Sequence, residues 1–344
     1  MLEATSAVTA SPLLGRPGAV EADGPDAGVA AHYGDPLREQ RLLREGLAVV
    51  DLSHRGVVTV TGPDRLSWLH SLTTQQLVGL APRRSTESLI LSPKGHIEHD
   101  LHLVDDGETT WITVEPGTSA AVAGWLDSMR FMLRVEVADV TERYAVLGEP
   151  VRAESVEGEP LAWCDPWPDI VGDSTAYSAV ERHPGADRAW RELIVPRESL
   201  EAAVADRPLA GVWAAEALRV EAWRPRLGYE TDHRTIPHEV DWLRTAVHLH
   251  KGCYRGQETV ARVHNLGRPP RRLVFLHVDG SGHTLPARGA AVSVDGRDIG
   301  FVTSVARHFE DGPIALALVK RNVPVDATLT VDGLAAAQEV IVTP

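Results

Sequence analysis

The sequence contains very little cysteine and no long apolar run. Two cysteines, Cys164 and Cys253, occur in 344 residues. They are too few for a disulfide framework, which indicates a reducing compartment, with the cytoplasm as the expected location. No run of about 18 uncharged apolar residues occurs, so we expect no membrane span. The chain opens Met1-Leu2-Glu3 and has no cation before Arg16, so the basic region of a signal peptide is missing.

Positive charge is also scarce, because 34 lysines and arginines face 48 acidic residues and the formal net charge is −14. This balance argues against direct nucleic-acid binding, since such proteins neutralise phosphates with a basic surface. The basic run Arg268–Arg272 is either a solvated linker or a contact for a small anionic ligand or partner. The chain also lacks a Gly-x-Ser-x-Gly elbow, a phosphate loop and a dinucleotide fingerprint, so a serine hydrolase or nucleotide enzyme has no visible machinery.

The patterning of the chain indicates an α+β protein with three regions. Residues 1–31 are rich in Ala, Gly and Pro without periodicity, and we predict a disordered tail there. An α+β region follows over 32–267, opening with a capped helix at Asp35-Pro36. Its strand and helix signals come in runs rather than in strict alternation. Over 268–344, six short strands between Gly and Asp turns predict a small antiparallel β-barrel, with a domain boundary near Gly267.

The most unusual stretch is an octapeptide that starts at Lys251 and reads Lys-Gly-Cys-Tyr-Arg-Gly-Gln-Glu. Gly252 and Gly256 allow backbone conformations closed to other residues and let a ligand approach closely. A lysine near Cys253 favours the thiolate form of the thiol. The alternative is a Gly-rich turn into a short helix over Glu258–His264, with a buried and inert cysteine.

With Ala261-Arg262 shortly after it, this octapeptide resembles the signature of the YgfZ family of folate-binding proteins, relatives of the glycine-cleavage T-protein. Val50–His54 resembles the entry to the folate-binding domain of the T-protein, and Glu216–Glu221 resembles the helix that carries its pterin-binding glutamate. Gly300–Ser304, followed by Ile314–Val319, is similar to strands of the family's C-terminal barrel. The resemblance implies a two-lobed folate-binding region before the barrel, with tetrahydrofolate or a one-carbon derivative as cofactor.

The resemblance also implies which residues meet the folate. Glu221 is the candidate for the pterin, because a carboxylate accepts two parallel N–H donors in a charge-assisted pair. The alternative is a surface carboxylate that pairs with Arg219 or Arg224. Cys253 is the candidate catalytic residue. The residues assigned to folate binding are Glu221, Lys251, Gly252, Tyr254, Gly256, Gln257, Glu258, Arg262, His99 and Asp100.

One position departs from the T-protein pattern. The T-protein carries two adjacent acids before a leucine, and the first of them positions folate for methylene transfer. Here His99 stands at that first acid, and Asp100 follows on the opposite face of a strand. An imidazole is not a fixed anion, so the departure argues against aminomethyltransferase activity, and it is typical of the YgfZ-like branch.

What the resemblance implies about function is assistance to the assembly or repair of iron–sulfur enzymes, including enzymes that modify tRNA. The expected partners are therefore folate and iron–sulfur enzymes or their assembly factors, without direct contact to nucleic acid. Two alternatives stay open. One is a true enzyme of one-carbon transfer from a methylated amine to tetrahydrofolate; the other is a folate-independent scaffold that uses Cys253 only for partner contact.

Histidines suggest a metal site, but their spacing does not support one. His96, His99 and His102 recur every third residue, so His99 faces away from the other two on a strand. His248 and His250 share one face near the second cysteine, yet no second ligand pair accompanies them. The two thiolates of the chain are half of the four that an iron–sulfur cluster normally needs. We therefore expect no metal ligands.

Overall fold

The computed structural model describes residues 10–281 and 284–344. The strands in chain order are β1 (Val20–Glu21), β2 (Ala30–His32), β3 (Val49–Asp51), β4 (Gly56–Thr61), β5 (Ser85–Leu91), β6 (Ile97–Asp105), β7 (Thr109–Val114), β8 (Glu136–Asp139), β9 (Tyr144–Glu149), β10 (Leu161–Cys164), β11 (Arg191–Pro196), β12 (Leu209–Ala210), β13 (Arg271–Val278), β14 (Ala291–Val294), β15 (Arg297–His308), β16 (Gly312–Lys320), β17 (Leu329–Val331) and β18 (Leu334–Val340). The α-helices are α1 (Pro36–Arg44), α2 (Arg65–Leu72), α3 (Ser119–Met129), α4 (Leu200–Val204), α5 (Val212–Glu221), α6 (Leu243–Ala246) and α7 (Gln257–Leu266). None of these helices is long and apolar enough to cross a membrane.

The chain folds into two units, and each unit is drawn from several stretches of sequence. Unit 1 comprises the described residues up to Ile90, together with His99–Pro166 and Ala189–Ala215. Unit 2 comprises Leu91–Glu98, Trp167–Arg188 and the described residues of Glu216–Pro344.

Unit 1 contains two five-stranded sheets. The first has the strand order β5-β6-β7-β4-β8, and apolar side chains of α2 and α3 pack into one core with it. The second has the order β10-β11-β9-β3-β12, in which only the short β12–β3 pair is parallel among the pairings described. Its core includes Leu147, Leu193 and Leu200. Mostly antiparallel sheets with helices packed against them confirm the predicted α+β class.

The N-terminal segment differs from the predicted disordered tail. Residues 1–9 lie outside the described residues, but the chain from residue 10 onward has regular structure and buried side chains. Leu13 is fully buried in the core of the second sheet, and β1 pairs with β2. The Ser11 hydroxyl accepts a hydrogen bond from the Leu13 N–H. A few apolar residues at the right positions thus bury enough surface to order a segment whose composition alone favours disorder.

Unit 2 contains the predicted barrel. Six strands close in the order β13-β16-β15-β14-β17-β18, and every pairing described between them is antiparallel. The interior is filled by side chains such as Leu276, Ala317 and Val331. This closed antiparallel barrel confirms the prediction made from six short strands between Gly and Asp turns.

The division of the chain does not follow the predicted boundary near Gly267. Arg271, the first residue of β13, donates to carboxylate oxygens of Asp232 at 2.6 Å and Glu239 at 2.8 Å. Arg219 of α5 donates to Ser304 Oγ of β15 at 2.7 Å. These charge-assisted hydrogen bonds attach segments before the barrel to its strands, so the two belong to one unit.

Candidate functional site

Gly256 in the octapeptide is a backbone requirement of the fold. It has φ +83° and comes directly before α7. A Cβ at this position would lie 2.7 Å from the Ser92 carbonyl oxygen and 2.9 Å from the Gly95 Cα. Gly95 is equally constrained, with φ +78° and a Cβ position only 2.8 Å from Thr259 Cβ. The two glycines let the Ser92–Gly95 turn lie against the start of the helix, and that helix confirms the one predicted after the octapeptide.

Gly252 and Cys253 have the opposite character. A Cβ added to Gly252 would meet no heavy atom of the described residues within 4 Å, and the residue is exposed. Cys253 is exposed as well, so the alternative of a buried cysteine is wrong. Cys164 differs, because burial and then the nearby Glu154 raise the pKa of its thiol to about 11. Of the two thiols, that of Cys253 is the more accessible to solvent.

The side chain of Lys251 lies beside an aromatic ring. Its side chain is largely buried, and its Nζ lies 5.3 Å from the centre of the Tyr254 ring, a cation–π geometry. Burial lowers the pKa of Lys251 to about 8 and raises the pKa of Tyr254 well above its usual range. Lys251 thus forms a cation–π pair with Tyr254, and its activation of the exposed Cys253 thiol stays a prediction.

The remaining predicted residues of this segment lie on or beside α7. Arg255 donates to Glu98 at 2.8 Å across to the strand that follows the turn. Gln257 is half-buried at the first position of the helix, whereas Glu258 and Arg262 are exposed. The exposed pair carries opposite charges one turn apart on the helix surface.

Glu221 is the last residue of α5 and its side chain is 26% exposed. Its Oε2 lies 3.6 Å from Nε2 of His308, whose side chain is fully buried, and Nδ1 of the same ring lies 3.1 Å from Asp311 Oδ2. The alternative partner Arg219 is engaged elsewhere, since it donates to Glu216 and Glu230 at 2.9 Å. Glu221 thus lies beside a buried imidazole and is partly exposed to solvent, and its pairing with Arg224 stays an open alternative.

His99 and Asp100 lie on β6 in unit 1, whereas Glu221 and the octapeptide belong to unit 2. His99 is half-buried, and burial lowers the pKa of its imidazole to about 4. The ring is therefore neutral near pH 7. Asp100 faces the other way, with Oδ2 at 3.2 Å from His102 Nε2. His99 and Asp100 therefore lie on opposite faces of β6, as the alternation of side chains along a strand predicts.

Sequence reasoning missed His308, Asp311 and a buried group around His102. His308 closes a long barrel strand and has no local signal that marks it out. Glu87 gives a usable signal, because it is a charged residue in the otherwise uncharged strand β5 and is fully buried. A buried carboxylate requires a partner, so a lone charge in an apolar strand pattern indicates a polar group inside the fold.

The histidines near the octapeptide make other contacts. His250 Nδ1 lies 2.6 Å from Asp173 Oδ2, and His248 packs against Gly172. The backbone N–H of His250 donates a hydrogen bond to His248 Nδ1 at 3.3 Å. His248 and His250 thus contact each other and the Gly172-Asp173 segment.

Comparison with known proteins matches two parts of the chain to domains of one family. Residues 31–148 match the GCVT N-terminal domain, and residues 271–343 match the glycine cleavage T-protein C-terminal barrel domain. An aminomethyltransferase of Geobacillus kaustophilus is 30% identical over 304 residues, which are 83% of this chain and 82% of that protein.

Two further comparisons agree at a coarser level. A putative chloroplastic transferase of Arabidopsis thaliana is 26% identical over 284 residues, and the match spans 75% of this chain but 62% of the plant protein. The crystal structure of the glycine cleavage system aminomethyltransferase T from Bartonella henselae covers 95% of this chain and 94% of its own, with TM-score 0.74 and 19% identity, and it shows the same fold. From the two domain matches and the 30% identical relative, we conclude that the chain belongs to the aminomethyltransferase (glycine-cleavage T-protein) family.

Proposed function

We propose that this protein is a YgfZ-like member of the family that binds tetrahydrofolate and assists the assembly or repair of iron–sulfur enzymes, including enzymes that modify tRNA. The observation that carries the proposal is the residue at the catalytic acid position. His99 stands there, and burial holds the pKa of its ring at about 4. A neutral imidazole supplies no negative charge for folate-dependent methylene transfer, so we assign a binding rather than a transferase role.

Glu221 supports the folate part of the proposal. A partly open carboxylate accepts the exocyclic amine and a ring N–H of a pterin in parallel. The buried ring of His308 lies on one side of this carboxylate and limits the directions in which it can turn. Bound tetrahydrofolate would supply a one-carbon carrier. The chain's own contribution is a fixed acceptor at the end of α5.

The exposed thiol of Cys253 supports the partner part of the proposal. It follows Gly252, above which the described residues leave open space, and precedes the buried Tyr254. A thiol on a loop anchored by a buried neighbour reaches a protein partner without a change in the surrounding fold. We assign to Cys253 the contact with iron–sulfur enzymes or their assembly factors.

The alternative of a one-carbon transfer enzyme has its own support, because aminomethyltransferases are among the relatives that match over most of their length. The two functions give different products. Incubation with tetrahydrofolate and candidate methylated amines should yield no methylenetetrahydrofolate under our proposal, with the Geobacillus aminomethyltransferase and its own substrates as positive control. Turnover by this chain would overturn the binding role and favour the enzyme.

The role of the Cys253 thiol can be tested in cells. A strain that depends on this protein should lose the activity of its iron–sulfur enzymes when it carries Cys253→Ala, whereas Cys164→Ala serves as the matched control and should retain that activity. Full activity with Cys253→Ala would contradict the role of the thiol. The proposal also assigns the protein to the cytoplasm, where both cysteines stay free, and cell fractionation checks that location.

A further inference from the structure

Unit 1 contains a buried group of side chains with the composition of a metal-binding site. Glu87 lies on β5, and Asp100 and His102 lie two residues apart on β6, the neighbouring strand, where they share one face. The three residues are 0%, 4% and 6% exposed. One ligand atom from each lies within 4.8 Å of the others. We name Glu87, Asp100 and His102 the β5–β6 cluster.

The imidazole of His102 is held in one orientation. Its Nδ1 lies 3.0 Å from Glu192 Oε2, and its ring stacks on Trp163 with centroids 3.5 Å apart and planes 5° from parallel. Glu192 in turn accepts from Arg55 at 3.2 Å and from the Thr113 hydroxyl at 3.0 Å. A metal-binding histidine typically donates its second ring N–H to such a carboxylate, which fixes the ring and makes the free nitrogen a better ligand.

The other nitrogen of His102, Nε2, faces the cluster and lies 3.2 Å from Asp100 Oδ2. The second oxygen of that carboxylate, Oδ1, is buried and has no hydrogen-bond partner among residues 10–281 and 284–344. A buried carboxylate oxygen without a partner is costly. The buried Asp100 Oδ1 without a hydrogen-bond partner therefore indicates, independently of the cluster's composition, that a ligand binds there.

The charges around the cluster point the same way. Glu87, Asp100, Glu192 and the nearby Glu115 are all buried carboxylates, and Arg55 contacts the last two of them, at 3.2 Å and 3.5 Å. Buried carboxylates need compensating positive charge, and a bound dication would add to the charge that Arg55 supplies.

We propose that the β5–β6 cluster binds one divalent transition-metal ion through His102 Nε2 and carboxylate oxygens of Glu87 and Asp100. One imidazole with two carboxylates is a donor set that suits Zn²⁺, Mn²⁺ or Fe²⁺ rather than Ca²⁺, which prefers oxygen alone. On metal binding, His102 Nε2 loses any proton it carries to solvent and coordinates the metal through its lone pair. Nδ1 keeps its proton and donates it in the hydrogen bond to Glu192. The competing account of the same contacts is a metal-free imidazolium paired with Asp100 and Glu192.

The metal content of the purified full-length protein tests the proposal. The protein is unfolded in denaturant with chelator, then refolded with and without Zn²⁺, Mn²⁺ or Fe²⁺ under anaerobic conditions, and bound metal is counted by mass spectrometry after desalting. Wild type should retain about one ion per chain. Glu87→Gln and Asp100→Asn, which keep side-chain size, should each lower the retained metal at least tenfold. Glu98→Gln, an exposed carboxylate at the start of the same strand, should leave it unchanged.

Refolded wild type that retains no metal would overturn the proposal and leave the imidazolium pair as the account. Metal retained equally by wild type and both variants would overturn it too, because the ion would then lie elsewhere. If the variants fail to fold, Co²⁺ loading of wild type decides. Visible absorption from nitrogen and oxygen ligands, and its loss on Zn²⁺ competition, support the cluster. A Co²⁺ spectrum equal to that of the free aqueous ion contradicts it.

Discussion

Lys251 should destabilise the folded protein at pH 7, because its charged amine is buried. Only 5% of the residue is exposed, and its amine lies over the Tyr254 ring. Burial lowers its pKa from 10.5 to about 8. Below pH 8 the folded protein therefore holds a charge that the unfolded chain accommodates more easily in water.

The free-energy cost of burying this charge follows from the difference between the pKa values of Lys251 in the folded and unfolded states. At about 1.36 kcal/mol per pH unit, the pKa difference corresponds to about 3 kcal/mol, and partial access of water to the amine reduces this to about 2 kcal/mol. The unfolded state binds more protons between pH 8 and 10.5, so stability rises with pH in that window and the penalty is complete at pH 7. Lys251→Met keeps the apolar stem and removes the charge. We expect it to raise the free energy of unfolding by about 2 kcal/mol at pH 7.

Urea denaturation of wild type, Lys251→Met and the control Lys94→Met at pH 7.0 and pH 10.5 measures this effect. The gain of Lys251→Met should largely disappear at pH 10.5, while Lys94→Met, at an exposed position, should stay within about 0.5 kcal/mol of wild type at both. A Lys251→Met protein that is no more stable at pH 7, or whose gain does not depend on pH, would refute the reasoning. If it gains stability and loses folate affinity, the lysine is retained for function at the expense of the fold.

Three further predictions concern stability and reactivity. Gly256→Ala should lower the free energy of unfolding by at least about 2 kcal/mol, because the new Cβ clashes with the backbone and the residue has a left-handed φ. Gly252→Ala, measured in the same urea denaturation, should lower it by less than about 0.5 kcal/mol. Equal losses of stability would contradict the packing described. A thiol reagent at pH 8 should modify Cys253 well before Cys164, and mass spectrometry of timed samples would expose the reverse order. Burial lowers the pKa of the His238 ring to about 4. The unfolded state therefore binds more protons between pH 6.5 and pH 4, and about 3 kcal/mol of the stability present at pH 7 is lost as the pH falls through that window. A His238→Gln protein should lose less stability, and an unchanged dependence of its stability on pH would argue against a buried neutral ring.

Local signals in the sequence predicted local structure well. The Asp35-Pro36 start is confirmed by α1, where the Asp35 side chain accepts from the Arg38 N–H. The six short strands of the barrel and the helix after the octapeptide are confirmed as well. Each of these features depends on capping, turn residues or alternation within about ten residues, which a single sequence displays.

Features that depend on distant partners were not predictable. The stretch from Arg152 to Arg188 lacks periodicity, yet Trp163 donates to the Thr86 carbonyl and Trp167 to the Ala222 carbonyl. These contacts join residues more than 50 positions apart in sequence. For the same reason, the direction of the Lys251 side chain and the grouping of the β5–β6 cluster followed only from the folded arrangement.

An anaerobic calorimetric titration of tetrahydrofolate into wild type and into Glu221→Gln tests the central claim most directly. Our account predicts saturable binding to wild type that weakens at least tenfold in the variant, because an amide presents one acceptor where the carboxylate presents two. Glu201→Gln, an exposed carboxylate on α4, should bind as wild type does. The absence of saturable binding to the wild-type protein would contradict the folate-binding function and leave a folate-independent scaffold in its place.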